Sequence, residues 1–317
     1  MLRRAPFALS ARFALSACLA FWPLASLAGD FPIPVLEQPT APLKVYHLGH
    51  SLVGPNMPHM LAQLAPKGHS WNAQRGSGTS LKQHWEPSET ILDFEISNPA
   101  PAYREAHEAI GSGEFDAIVL TEMVELRDAL KYFSGAKYLR RWADLARAGN
   151  PKTRLYLYET WHHRDDPHGW EARIAQDLEP LWLQGLLGQD SRRNPRHPVY
   201  LIPAGQVMAA VAKAIEAGKI EGVSAREDLF APTPEGTIDT IHMSDLGAYV
   251  VALTHFAVLY QQDPSGLPHR LTLASGDPAQ SFTAAAAAEV QQLVWQVVLQ
   301  HPRTGLAQAS NVAEPKP

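Results

Sequence analysis

KVYHLGHSLVG, residues 44–54, decides how this chain folds. Its first half is a short run rich in β-branched and aromatic side chains, and it stops abruptly at Gly49-His50-Ser51, with Pro55 and Pro58 delaying the next helical pattern. A strand that ends on Gly-x-Ser presents a hydroxyl at the edge of a sheet. The same kind of run recurs at SWNAQR (70–75), DAIVLT (116–121), TRLYLYET (153–160) and PVYLIPA (198–204). Helix-length stretches of period near 3.6 separate several of these runs, among them AKYLRRWADLARAG (136–149) and GQVMAAVAKAIEAG (205–218), each closed by glycine. Strands alternating with helices predict an α/β fold, a mostly parallel sheet covered on both faces. SDLGAYVVALTHFAVLYQQ (244–262) is apolar nearly all round and predicts a buried helix capped by Ser244, and SFTAAAAAEVQQLVWQVVLQ (281–300) predicts the last one.

Around this alternation lie segments of different character. Residues 1–28 carry Arg3, Arg4 and Arg12, then an apolar stretch, then Ser26-Leu27-Ala28, the pattern of a signal peptide with a small-x-small cleavage site. That predicts an exported chain, periplasmic or secreted. Cys18 in LSAC offers a lipid-attachment alternative, although the residues after it stay apolar. It is the only cysteine, so a cleaved chain has no disulfide or thiolate chemistry. Residues 29–43 read as an extended, proline-rich lead-in, 44–302 as one domain, and 303–317 as a flexible tail. The formal net charge is −5, and the leader arginines make the remainder more acidic still. No basic block offers itself to nucleic acid, and no segment after the leader is long and apolar enough to span a membrane.

Sites in doubly wound sheets form at the carboxyl ends of strands, which favours Ser51 as a nucleophile. A serine needs a base, and the base needs an acid to fix its tautomer. TIDTIHMSDLGAYV supplies both, with Asp239 three residues before His242. Alternatively, Asp239 serves only backbone amides in a helix-entry loop. The oxyanion formed on attack needs donors, and QRGSGTSLKQHW (74–85) offers Gly78, paired with the N–H of Ser51.

These stretches, in this order, resemble the SGNH (GDSL-type) hydrolase superfamily. Gly49-His50-Ser51-Leu52 is similar to its Gly-Asp-Ser-Leu block, Asp239-Thr240-Ile241-His242 to its Asp-x-x-His block, and GSGTSLKQHW to the glycine block of a poorly characterised bacterial branch. The resemblance implies a flavodoxin-like three-layer α/β/α sandwich with five parallel strands. It also implies ester hydrolysis with Ser51 as nucleophile, His242 as base and Asp239 as its support, and no cofactor or metal. The chain departs from the family in two places. His50 replaces the usual Asp or Asn, and VLTEMVEL (119–126) lacks the asparagine of the third block, leaving Thr121 or a protonated Glu122 as the remaining donor. An α/β-hydrolase elbow is disfavoured, because Val53 stands where its second glycine belongs.

WHHRDDPHGW (161–170) gathers three histidines and two aspartates but matches no metal-ligand spacing and reads as a solvated loop at a substrate rim. His47, His50 and His59 are assigned to packing or the rim. Trp71, Trp85, Trp161 and Trp170 are candidates for stacking on sugar rings. The expected substrate is therefore a small-molecule or glycan ester, an acetyl ester of a carbohydrate first among them. Acyl transfer to a polysaccharide hydroxyl and a weakened glycan-binding module are the alternatives.

Overall fold

The computed structural model describes residues 33–307; the leader, its cleavage site, Cys18 and the end of the tail lie outside the described residues. Five strands, β1 (Lys44–His50), β2 (Ser70–Gly76), β3 (Ala117–Leu120), β4 (Arg154–Tyr158) and β5 (Tyr200–Ile202), form one sheet in the order 2-1-3-4-5. Every neighbouring pair is parallel, so the sheet is wholly rather than mostly parallel. A separate antiparallel pair, β6 (Phe230–Pro232) and β7 (Ile238–Met243), was not visible in the strand–helix rhythm. The helices that matter below are α1 (Asn56–Leu64), α2 (Leu81–Trp85), α3 (Ala106–Gly111), α4 (Gly135–Gly149), α5 (Trp170–Asp177), α6 (Ala204–Glu216), α7 (Asp245–Tyr260) and α8 (Ala284–Gln300).

Alternation along the strands builds two cores, because successive side chains leave opposite faces of a sheet. Val45, Val119, Tyr156 and Ile202 pack with α1, α6, α7 and α8, while Tyr46, Leu48, Leu120, Leu157 and Leu201 pack with α3 and α4 on the other face. The result is the three-layer α/β/α sandwich. Fully buried strands need apolar residues at nearly every position, which is why IVL and RLYLY read as short apolar runs. In α7, Leu246 to Tyr260 are buried without exception, as expected for a helix apolar on every side. Ser244 caps it, accepting from the N–H of Gly247.

The segment expected to open a flexible tail is pinned at its start. Leu201 N–H donates to the carbonyl of Arg303, Leu36 N–H to that of Gly305, and the Arg303 guanidinium reaches Ser191. The packed chain therefore extends to at least Leu306, and the lead-in closes against its far end.

In an open sheet of this order the chain departs to opposite faces from β1 and β3, leaving a crevice at their carboxyl ends. Ser51 follows β1, Thr121 and Glu122 follow β3, and the glycine loop follows β2.

Candidate active site

The turn after β1 carries Ser51 to within 2.9 Å of His242 Nε2, although 191 positions separate them in sequence. His242 Nδ1 lies 3.0 Å from Asp239 Oδ2. A carboxylate only accepts, so the proton sits on Nδ1 and Nε2 is left to accept from the Ser51 hydroxyl. Asp239 also serves backbone amides: its Oδ1 accepts from the N–H of Ile241 at 2.7 Å and of His242 at 2.8 Å. One oxygen thus fixes the bend of the chain and the other fixes the imidazole. Partial burial alone would raise the Asp239 pKa, but the two N–H groups and the imidazole outweigh it and hold the carboxyl down at about 2. It is ionised throughout the neutral range.

β7, which carries both residues, is strapped by the segment WHHR. The Trp161 indole donates to the carbonyl of Ile241 at 2.9 Å, the N–H of Arg164 donates to that of Thr240 at 2.6 Å, and His163 Nδ1 lies 3.0 Å from the Thr240 hydroxyl. This stretch, expected as a solvated rim loop, includes buried Trp161, His162 and Trp170. Among the described residues no group of three or more His, Cys, Asp or Glu is arranged to hold a metal. Asp166 instead pairs with Arg173, which also holds Glu125 and Asp177, tying the segment to the loop after β3.

Two backbone N–H groups lie on the loops that follow β1 and β2. Gly78 has φ +58, in the left-handed region that glycine adopts freely, and a Cβ added there would meet nothing within 4 Å. Its N–H has no acceptor among the described residues, and neither has that of Ser51. Both are available to an oxyanion.

The residues after β3 play other parts. The Thr121 hydroxyl is buried without a partner among the described residues, pressed against Gly49. A Cβ at Gly49 would lie 2.6 Å from Thr121 Cβ, so only glycine lets β1 and β3 approach here. Thr121 thus packs against Gly49, just before the turn that carries Ser51, closed to solvent. Glu122 Oε1 accepts from the N–H of Met123 at 2.9 Å and of Leu81 at 3.2 Å. Burial pushes its carboxyl up to about 7, with those two amides opposing the rise. Its other oxygen faces Gly135, so neither oxygen is turned to the oxyanion.

His50 takes over the turn-holding role expected of Asp or Asn. Its Nε2 donates to the carbonyl of Glu122 at 3.0 Å, and its Nδ1 accepts from the N–H of Leu52 at 3.4 Å. Burial first, with the nearby His242 in the same direction, lowers its pKa to about 4 against the opposing bond to Glu122, so it is neutral. His47 is buried in the core, where burial depresses its pKa strongly. His59 lies 3.3 Å from the Thr272 hydroxyl, in a packing contact. Trp161 and Trp170 are each 1% exposed and cannot stack on a sugar, while Trp85 packs edge-on against Trp142.

A crystal structure of a DUF4886 family protein from Bacteroides uniformis is similar to this chain, with a TM-score of 0.52 at 14% identity, over 85% of this chain and 99% of that one. At that identity the likeness shows the fold. No family model matches the chain, and no curated protein matches it.

Proposed function

We propose that this chain is a serine hydrolase of carboxylic esters, related in its site to the SGNH hydrolases. The observation that carries the reading is the continuous line from Ser51 through His242 to Asp239, at 2.9 and 3.0 Å. Ser51 Oγ bonds to the acyl carbon as its proton passes to His242 Nε2, and the carbonyl oxygen becomes an oxyanion held by the N–H groups of Ser51 and Gly78. The C–O bond to the alcohol then breaks, and the alcohol leaves with the proton from His242. Water, activated by the same imidazole, attacks the acyl-serine and releases the acid. The His242 side chain is 46% exposed, so water can reach an acyl group on Ser51. With two of the four tryptophans buried, recognition of a carbohydrate alcohol rests on other surfaces of the crevice, and acetylated sugars remain the first substrates to test.

The experiment is turnover of 4-nitrophenyl acetate and of acetylated sugars by the purified protein, alongside labelling by a fluorophosphonate probe. S51A abolishes labelling, and S51A and H242A each lose nearly all turnover while melting as the parent does. Full turnover in either variant, or labelling at another residue, overturns the assignment.

A further inference from the structure

α2 is only five residues long, yet its side chains and backbone knit the glycine loop to the strand that carries the nucleophile. Ser80 caps it through a reciprocal pair with Gln83, Glu122 accepts from the N–H of Leu81, and Trp142 donates to the Leu81 carbonyl at 3.0 Å. From its far end His84 reaches across to β1. His84 Nε2 lies 2.8 Å from the carbonyl of Gly49, its Nδ1 lies 3.1 Å from Gln74 Nε2, and Gln74 Oε1 accepts from the N–H of Ala106 at 2.9 Å.

Both ends of this line are backbone groups whose roles cannot reverse. The Ala106 N–H only donates, which turns the Gln74 oxygen toward it and the Gln74 amide toward His84; the Gly49 carbonyl only accepts, which puts the His84 proton on Nε2. His84 is 4% exposed, and burial lowers its pKa to about 4 although the bond to Gly49 opposes this, so the neutral imidazole is the form present above that pH. Its single proton therefore has one direction and one target. Gly49 lies two residues before Ser51, and His84 stands six residues after Gly78, in the helix that the loop bearing the other oxyanion donor leads into.

We infer that His84 is a positioning residue that sets the two oxyanion donors, the N–H groups of Ser51 and Gly78, at their working separation. The inference rests on the hydrolase reading above and adds to it the device that holds the oxyanion hole. His84 touches no reacting atom; it acts through the Gly49 carbonyl, and its effect is confined to the step in which charge develops on the acyl oxygen. Substrate in its ground state needs little from those donors, so KM is untouched while kcat falls.

The test measures kcat and KM on 4-nitrophenyl acetate, affinity for a boronic acid that forms a tetrahedral adduct on the serine, and thermal stability, in wild type, H84A, H84Q and Q74A. H84A is expected to lose about ten- to a hundred-fold in kcat, in line with a displacement of a catalytic donor by a fraction of an ångström to 1 Å. KM stays unchanged and boronate affinity falls in parallel with kcat. H84Q restores most of the rate, because its amide N–H can donate to Gly49 and its oxygen can accept from Gln74. Should H84A fail to fold, Q74A keeps the ring and removes only its partner, and is expected to show a smaller loss of kcat at unchanged KM. Full kcat in H84A, or in Q74A where H84A does not fold, overturns the inference, as does a loss in H84A and H84Q that follows melting temperature alone. Those outcomes are distinct from failure of the hydrolase reading, which shows as wild-type protein that neither turns over ester nor takes the fluorophosphonate label, and which removes both proposals together.

Discussion

Replacing Asp239 with asparagine separates the two tasks that this carboxylate performs. Its Oδ1 accepts from the N–H groups of Ile241 and His242, and its Oδ2 from the imidazole. In D239N the two backbone donors demand an oxygen, so the introduced amide nitrogen is forced to face His242 Nδ1. That nitrogen donates, Nδ1 must accept, and the imidazole proton moves to Nε2, where it points at Ser51 and cannot take the serine proton. Turning the amide over restores the tautomer only by setting an NH₂ against two N–H groups. Leaving two such groups unmet costs about 1–3 kcal/mol each. At about 1.4 kcal/mol per factor of ten, the productive arrangement is populated roughly 30- to 10⁴-fold less, and the imidazolium has also lost its anion. The expected outcome is a fall in kcat toward about 10⁴-fold, the size seen when a triad acid becomes an amide, with the fold intact. Stopped-flow release of 4-nitrophenol gives the rate, and circular dichroism gives the fold. A D239N protein that keeps more than about a tenth of wild-type kcat would refute the tautomer argument, since such a loss is smaller than the lowest flip penalty allows.

Two further substitutions follow from the residues after β3. T121V removes a buried hydroxyl that has no partner among the described residues. Stability should stay level or rise by up to about 1 kcal/mol with kcat unchanged, whereas a 10²–10³-fold loss of kcat would make Thr121 the third oxyanion donor after all. Glu122 gives a pH dependence of definite sign. Its folded pKa, about 7, lies above the ordinary carboxylate value, so between about 4.5 and 7 the folded protein holds a proton that the unfolded chain has released, and stability falls as pH rises through that window. The loss amounts to about 3 kcal/mol for this fully buried group. E122Q keeps an oxygen for Leu81 and Met123 and has no charge to bury, so urea titrations at pH 5 and pH 8 should differ less than in wild type; an equal or larger difference would refute the assignment.

The sheet was legible because each buried strand writes itself as an apolar run bounded by turn residues, and β1 to β5 fall within a few residues of the runs that predicted them. The Asp239–His242 contact was legible because a spacing of three places carboxylate and imidazole on one bend of chain, where a single carboxylate can hold both the backbone and the ring. β6 and β7 were not, because a three-residue and a six-residue strand that pair only with each other, through an irregular register, leave no strand–helix rhythm. The loop 161–170 is solvated in its middle, as expected, where His163, Asp165 and His168 are exposed, but not at its ends. Trp161 and His162 are buried at one end of it and Trp170 at the other, with Trp161 bonded to the carbonyl of Ile241 eighty positions away. Polarity of a residue type is a local property, whereas satisfaction of its hydrogen bonds is decided by tertiary neighbours.

The two positions at which the chain differs from the SGNH pattern it resembles, His50 and Glu122, are in direct contact. His50 needs an acceptor for its Nε2 proton and finds the carbonyl of Glu122, at the position where the third block begins. Glu122 in turn spends its carboxylate on the N–H of Leu81, which fixes the start of α2 and with it the loop bearing Gly78. An asparagine turned toward the crevice could not also brace α2 from this position. On the proposed hydrolase reading, a stiff frame around two backbone donors stands where the SGNH pattern has a side-chain donor. If the chain is the proposed hydrolase, its rate depends less on how many groups touch the oxyanion than on how tightly His50, Glu122 and His84 hold the Ser51 and Gly78 amides, and substitutions at these three buried positions should lower kcat without a matching change in KM.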